Sequence, residues 1–166
     1  PHEVQHAHDV WFPRFLSVPG LFKGLDGWLM ALGALPRLRA LKRAGRLALI
    51  DAHFGYPEGY AATLLGRWLG VPVTITLRGT EQRHAQDSAI APKLRQALER
   101  AARVFAVSDS LRQVARGLGV APDKISVVGN GVDIAKFRPV PRASARASLG
   151  LPAECPVMTS VGGLVE

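Results

Sequence analysis

Residues 49–80 read LIDAHFGYPEGYAATLLGRWLGVPVTITLRGT, and their reading decides the fold. At the far end, residues 71–77 form an apolar, β-branched run, the pattern of a buried strand. Before it, Ala61, Leu64, Leu65, Trp68 and Leu69 recur at helical spacing across 59–69. At the near end, the short apolar run 47–50 passes into Asp51, His53 and Gly55. Strand, polar turn, helix and strand in that order make a βαβ unit, whose crossover is expected to be right-handed.

The unit recurs along the chain. Runs 104–107 and 125–128 are further strand candidates, 157–161 lies near the end, and Val4 belongs to another candidate. Helical patterns separate them: Leu94, Ala97, Leu98 and Ala101 in 92–102, then Leu111, Val114, Ala115 and Leu118 in 110–118. Ser108 or Asp109 suits the N-cap of the latter. Near-continuous apolar strands alternating with helices predict an α/β fold, a parallel sheet with helices on both faces. Ligands of such sheets sit beyond the carboxyl ends of the strands. Here those ends read IDAHFGYPEG, TLRGTEQ, AVSDS and VVGNGVD, each polar or glycine-rich.

A length of 166 residues, 48% of them hydrophobic, suits one sizeable core and is marginal for two. The longest helix-like apolar patch, residues 27–35, falls far short of the ~20 residues that span a bilayer. The opening PHEVQHAHDV has neither the basic end nor the apolar stretch of a secretory leader. A single cysteine, Cys155, excludes an internal disulfide and suits a cytoplasmic setting. The formal net charge is +8, unevenly spread: six Lys/Arg against one acid in 23–46, six against two in 92–116, four against none in 136–148. Such blocks either form a solvated face or favour anionic partners: phosphates, acidic lipid or nucleic acid.

Several motifs fail. Gly129-Asn130-Gly131 begins a dinucleotide fingerprint, but Ile134 stands where its third glycine belongs. Neither a phosphate-binding P-loop nor a G-x-S-x-G elbow occurs. His2, His6, His8 and Glu3 raise the question of a metal, with His6 and His8 on one face of a strand. Without a cysteine pair or a third-ligand motif, no metal is assigned.

Four segments together carry a resemblance: residues 49–80, ARVFAVSDSLRQVARGLGV, KISVVGNGVDIAKFRP and SVGGLV, in that order and spacing. They resemble the bacterial family 4 of retaining glycosyltransferases, over residues 45–166 and more weakly over the basic segment before. The resemblance implies a Rossmann-like sheet that is most of one half of a two-domain GT-B enzyme. Residues 1–138 would be the N-terminal acceptor-side domain, without its first strand and glycine loop. Residues 139–166 would be the linker and first strand of a C-terminal donor domain. Asn130, Gly131 and Asp133 would form the interdomain hinge, the glycines turning with positive φ. Gly162 and Gly163 would belong to a donor-phosphate loop. The chain thus resembles a fragment, expected to transfer no sugar alone.

The cleft-lining candidates are Asp51, His53, Arg78, Gly79, Thr80 and Ser108. Asp51 and His53 share a strand face; His53 either lines the acceptor cleft or bonds the following loop. Arg78 stands where many family members carry histidine. A guanidinium is no general base at neutral pH, but it suits a phosphate or carboxylate, or else a structural ion pair. Gly79 and Thr80 would offer a backbone N–H and a hydroxyl, whereas Ser108 reads first as a helix cap. Glu81 has no assigned role, and no catalytic residue is named. Leu25, Trp28, Leu29, Leu32, Leu35, Leu38 and Leu41 form an apolar stripe beside Arg39, Arg43 and Arg46. It reads either as core-facing or as a membrane-surface helix, bent or split at Pro36.

The resulting expectation is transfer of a sugar, with retention, from a nucleotide-sugar to a glycan or lipid-linked acceptor in cell-surface polysaccharide synthesis. No cofactor is expected beyond the nucleotide-sugar substrate, and the inner face of the cell membrane is the expected peripheral site. The alternatives are another GT-B enzyme, such as a sugar-nucleotide epimerase, and a non-catalytic basic module for anionic membrane or nucleic acid, nucleic acid being the less favoured partner.

Overall fold

The structure, a computed structural model, describes residues 2–17 and 21–162. It divides into two compact units, residues 1–130 and 131–166.

The first unit holds a parallel sheet of β3 (Ile50–His53), β4 (Val73–Leu77), β5 (Arg103–Ala106) and β6 (Ile125–Val127), paired in that order. Helices α2 (Tyr60–Leu69), α4 (Ala91–Arg100) and α5 (Asp109–Gly117) make the connections, with a short α3 (Glu81–His84) after β4. The expected parallel α/β architecture is therefore present, with strand limits moved by up to three residues. The first strand begins at Ile50 rather than residue 47 because its ladder starts there, opposite Val73, while Leu49 is exposed.

Alternation along the strands sets the core. Val73, Ile75 and Leu77 are buried together with Ala52, Val104, Ala106 and Ile125. Leu64 and Leu65 of α2, Leu94 and Leu98 of α4, and Leu111 and Ala115 of α5 join the same cluster. The opposite sheet face carries Asp51, His53, Thr74 and Thr76, half-buried or exposed. The helix α2 approaches the sheet closely at Gly66, where a Cβ would stand 2.4 Å from a Val73 methyl.

Ahead of this sheet lies an antiparallel hairpin, β1 (His2–Gln5) and β2 (His8–Trp11). The expectation of a strand around Val4 is met, but it pairs only with β2. His6 does not share a strand face with His8, because His6 and Ala7 form the turn, with φ of 47° and 66°. The long α1 (Asp26–Arg43) runs through Pro36 without a break. Its buried residues are Asp26, Gly27 and Ala31, and Met30, Ala34, Leu35 and Leu38 pack on the core. The apolar stripe is thus divided: Leu35 and Leu38 face inward, whereas Leu25, Trp28 and Leu32 are exposed.

In the second unit, α6 (Arg142–Ser148) buries Arg146, whose guanidinium donates to the carbonyls of Pro152 and, at 2.6 Å, Cys155. The expected strand at 157–161 does not form. Its residues lie open to solvent, Met158 at 98%, and no described strand pairs with them.

Candidate functional site

Three strand ends converge on Arg78. It follows β4 directly, and its Nε and Nη2 lie 3.1 and 2.9 Å from His53 Nδ1 at the end of β3. Its Nη1 donates to Asn130 Oδ1 at 2.9 Å, just beyond β6. His53 Nε2 lies 3.3 Å from Asp51 Oδ2, and the other Asp51 oxygen accepts from the Thr74 hydroxyl. With Nδ1 accepting from a guanidinium that can only donate, the proton of a neutral His53 sits on Nε2. Arg78 therefore ties His53 to Asn130 by hydrogen bonds across three strand ends, with the Asp51 carboxylate close to the imidazole.

Its chemistry follows from charge. The partners of the Arg78 side chain, His53 and Asn130, carry no negative charge, and no described ion pair includes Arg78. The guanidinium thus keeps its charge and two of its five N–H donors, the requirement for gripping a phosphate or carboxylate. The expectation of a structural ion pair at Arg78 is replaced by neutral hydrogen bonds.

Glu81, without a role in the sequence, holds this corner together. It is fully buried at 0% exposure. One carboxylate oxygen accepts from the Gly55 N–H at 2.9 Å, the other from the N–H groups of Gly79 at 2.8 Å and Arg78 at 3.2 Å. The turn after β3 and the turn after β4 are thereby tied to one carboxylate. Gly79 takes a φ of 137°, open to glycine and strained for other residues. Its N–H, expected to face a ligand, is consumed by Glu81. A carboxylate two residues after a strand-end glycine was the available signal, read without a target because Gly55 lies 26 residues away.

A cavity of about 460 Å³ opens beside β3, lined by Asp51, His53, Glu58, Met30, Ala61 and Leu65 among others. Glu58 sits in the turn Gly55–Gly59, where Tyr56 is extended at φ −148° and ψ 139°. Burial pushes its carboxyl up, and its Oε2 is shut away with no partner among the described residues. Sequence reasoning passed over Glu58, although a carboxylate at a strand end opening a helix is a recognisable sign.

The other candidates separate from this cluster. Ser108 caps α5, accepting from Leu111 N at 3.4 Å and lying 2.9 Å from the Ser110 hydroxyl. The carbonyl of Thr80 accepts the Arg83 and His84 N–H groups at 3.1 and 3.0 Å, opening α3, and its residue is exposed. Asp133, in the second unit, folds its own loop by accepting from the Ala135 and Lys136 N–H groups at 3.0 and 3.1 Å. Gly129 and Gly131 are not among the positive-φ glycines, so the expected turn does not use that freedom; the tie at Asn130 is made by its side chain. Gly162 is exposed, and Gly163 lies outside the described residues. Among the described residues, no group of His, Cys, Asp and Glu could hold a metal, and His2 instead bonds Asp9 at 2.8 Å.

Fold and strand-end cluster together define an α/β protein of the Rossmann-like kind, with a polar cluster at the carboxyl edge of a parallel sheet, where ligands of such sheets bind. The family model described as Glycosyltransferase Family 4 matches residues 1–136, and the chain belongs to that family. Relatives named D-inositol 3-phosphate glycosyltransferase include one from Saccharomonospora viridis, 32% identical over 136 residues, covering 76% of this chain and 31% of the relative. One from Mycobacterium tuberculosis is 32% identical over 164 residues, covering 87% and 33%. The chain thus spans about a third of the length of the curated relatives it matches. Crystal structures of Anabaena Alr3699/HepE in complex with UDP-glucose and with UDP share the fold. Their TM-scores are 0.50 and 0.51 at 20% and 18% identity, over 68% and 72% of this chain and 32% and 34% of theirs.

Proposed function

We propose that the chain is the acceptor-side part of a retaining glycosyltransferase of GT-B architecture, which passes a sugar from a nucleotide-sugar to a glycan or lipid-linked acceptor. The observation that carries this reading is the Arg78 guanidinium, held at three strand ends by His53 and Asn130 with its charge unpaired. Family membership and the relatives' names support transferase chemistry, and the UDP-glucose and UDP in the structural neighbours support a nucleotide-sugar donor. On this reading Arg78 grips an anionic group of a substrate, while Asp51 and Glu58, in the adjoining cavity, take acceptor hydroxyls. Residues 131–166 lead into a donor-side domain, and Asn130, Gly131 and Asp133 mark the passage. A role in cell-surface polysaccharide synthesis at the cytoplasmic face of the membrane fits the basic, aromatic character of the first 46 residues.

The test is transfer of labelled sugar from a panel of nucleotide-sugars to lipid and glycan acceptors by the full gene product. Product is expected with at least one pair, and Arg78→Ala is expected to abolish most of it. No product across the panel, or equal product from the variant, would overturn the reading.

A further inference from the structure

Two turns of unusual backbone meet at the strand-end guanidinium. After β3, Phe54 takes a φ of 70°, in the left-handed region that side chains rarely occupy. After β4, Gly79 takes a φ of 137°. Such conformations persist where the surroundings fix them. One group fixes both. Glu81, fully buried at the start of α3, takes the N–H of Gly55, the peptide just after Phe54, on one carboxylate oxygen, and the N–H groups of Arg78 and Gly79 on the other. Gly55 is wedged in place, since a Cβ there would stand 2.3 Å from a Leu94 methyl, and the Phe54 N–H donates to the Thr76 carbonyl at 2.8 Å.

The consequence falls on two side chains. The N–H groups of Arg78 and Gly79 belong to the peptides on either side of the Arg78 Cα. Holding both on one oxygen fixes the φ and ψ of Arg78, and with them the direction of its Cα–Cβ bond. His53 directly precedes Phe54, so its direction follows from the turn that Gly55 anchors. Neither Arg78 nor His53 is buried, so core packing does not aim them. No described ion pair includes Glu81; its charge is answered by backbone N–H groups. A buried charge is costly unless its bonds are made, and here every one of them serves a turn that carries a site residue.

We propose that Glu81 is a positioning residue, whose carboxylate aims Arg78 and His53 so that the guanidinium presents its free donors to an anionic group of a substrate. The proposal rests on the role given to Arg78 above, and its test separates the two. Inorganic phosphate is the probe, titrated into the chain while the Arg78 Nε–H signal is followed by NMR, the signal being assigned by its loss in Arg78→Ala. Saturable movement is expected in the wild type. Glu81→Gln keeps the side-chain shape but sets an NH₂ against the Gly55 N–H. It is expected to weaken phosphate about tenfold, the loss of one charge-assisted hydrogen bond to the anion. Glu81→Asp keeps the charge but is one methylene too short to span both turns, and is expected to weaken phosphate likewise. Gly66→Ala is the control for stability: it overpacks against Val73, at the other end of β4, and is expected to lower the melting temperature without changing phosphate affinity. Circular dichroism sets a temperature at which every variant is folded. Wild-type affinity in Glu81→Gln and Glu81→Asp overturns this proposal and leaves the reading above standing. Equal weakening in Gly66→Ala and Glu81→Gln reduces Glu81 to a stabilising group and also overturns it. No movement of the Arg78 signal in the wild type removes the anion-binding role on which both stand.

Discussion

Glu81→Ala should be the most damaging single change near the strand ends. The carboxylate is fully buried and accepts three backbone N–H groups, from Gly55, Arg78 and Gly79, at 2.8–3.2 Å. Removing it orphans three donors, each costing about 1–3 kcal/mol when buried. Full addition would give roughly 3–9 kcal/mol, but the Arg78 and Gly79 donors are only part-buried and water can reach them. The lower part of the range, about 3–5 kcal/mol, is therefore expected, a large share of the ~5–15 kcal/mol that holds a domain folded. Glu81→Gln tests the same logic at constant shape. Its carbonyl can keep Arg78 and Gly79, but its NH₂ then faces the Gly55 N–H, donor against donor. One bond and the charge assistance on the other two are lost, for about 2–3 kcal/mol. Urea denaturation of wild type and both variants gives midpoint and slope, and in a thermal melt Glu81→Ala should fall by roughly 6–20 °C for a chain of this size. A midpoint for Glu81→Ala within about 1 kcal/mol of wild type, at unchanged slope, would refute the reasoning.

Arg78→Ala breaks only exposed hydrogen bonds to His53 and Asn130, so stability should change by about 1 kcal/mol or less while kcat/KM of the full gene product falls at least tenfold; parallel loss of both would make the residue structural. Burial holds the Glu58 carboxyl above its usual range, so the folded state retains the proton better than the unfolded state. The stability it contributes is complete below the ordinary carboxylate range, near pH 4, and is lost as pH rises through its raised value. Glu58→Gln should therefore match wild type at pH 3.5 and melt higher at pH 7.5; equal melting at both would contradict the assigned cause. Gly66→Ala drives a methyl to within 2.4 Å of Val73 and 2.9 Å of the Val71 carbonyl, for an overpacking cost of about 1–3 kcal/mol, read as a shift of the urea midpoint.

What was legible in the sequence followed from period. Val73, Ile75 and Leu77 alternate, Leu94, Ala97 and Leu98 recur at helical spacing, and both patterns survive in the structure because each is satisfied by the same core. Arg78 and His53 were legible as strand-end residues, since a parallel sheet delivers successive strand ends to one edge. Their mutual bond was not, because 25 residues separate them and only register brings His53 opposite Thr76. Glu81 was hidden for a similar reason: its partners are backbone N–H groups, which carry no residue signature. At 157–161 the β-branched pattern was present, but a parallel strand needs a neighbour to satisfy its backbone, and no described strand supplies one. The stripe on α1, open in the sequence between a core-facing and a membrane-surface helix, is divided. Small residues, Gly27 and Ala31, allow that helix to approach the core, and the large ones at Leu25, Trp28 and Leu32 remain outside.

The close approach at Gly27 connects α1 to the strand-end cluster. A Cβ on Gly27 would lie 2.7 Å from the Tyr60 ring, so α1 sits directly on the start of α2. Tyr60 follows the Gly55–Gly59 turn, and Gly55 donates to the Glu81 carboxylate that also holds Arg78. Packed contacts therefore run from α1 to the turn that fixes the strand-end guanidinium, within residues 1–130. Well-packed interiors transmit displacement instead of absorbing it. A larger residue at Gly27 should then disturb both ends at once. Gly27→Leu is a stringent version, because neither the Tyr60 ring nor the Pro57 carbonyl, 3.3 Å away, can yield without moving the turn. If the path through Tyr60 is the mechanical link, a Tyr60→Ala change in the Gly27→Leu background should restore part of the lost folding stability. Independent, additive losses in that double-mutant cycle would show that α1 and the strand-end turn are held separately.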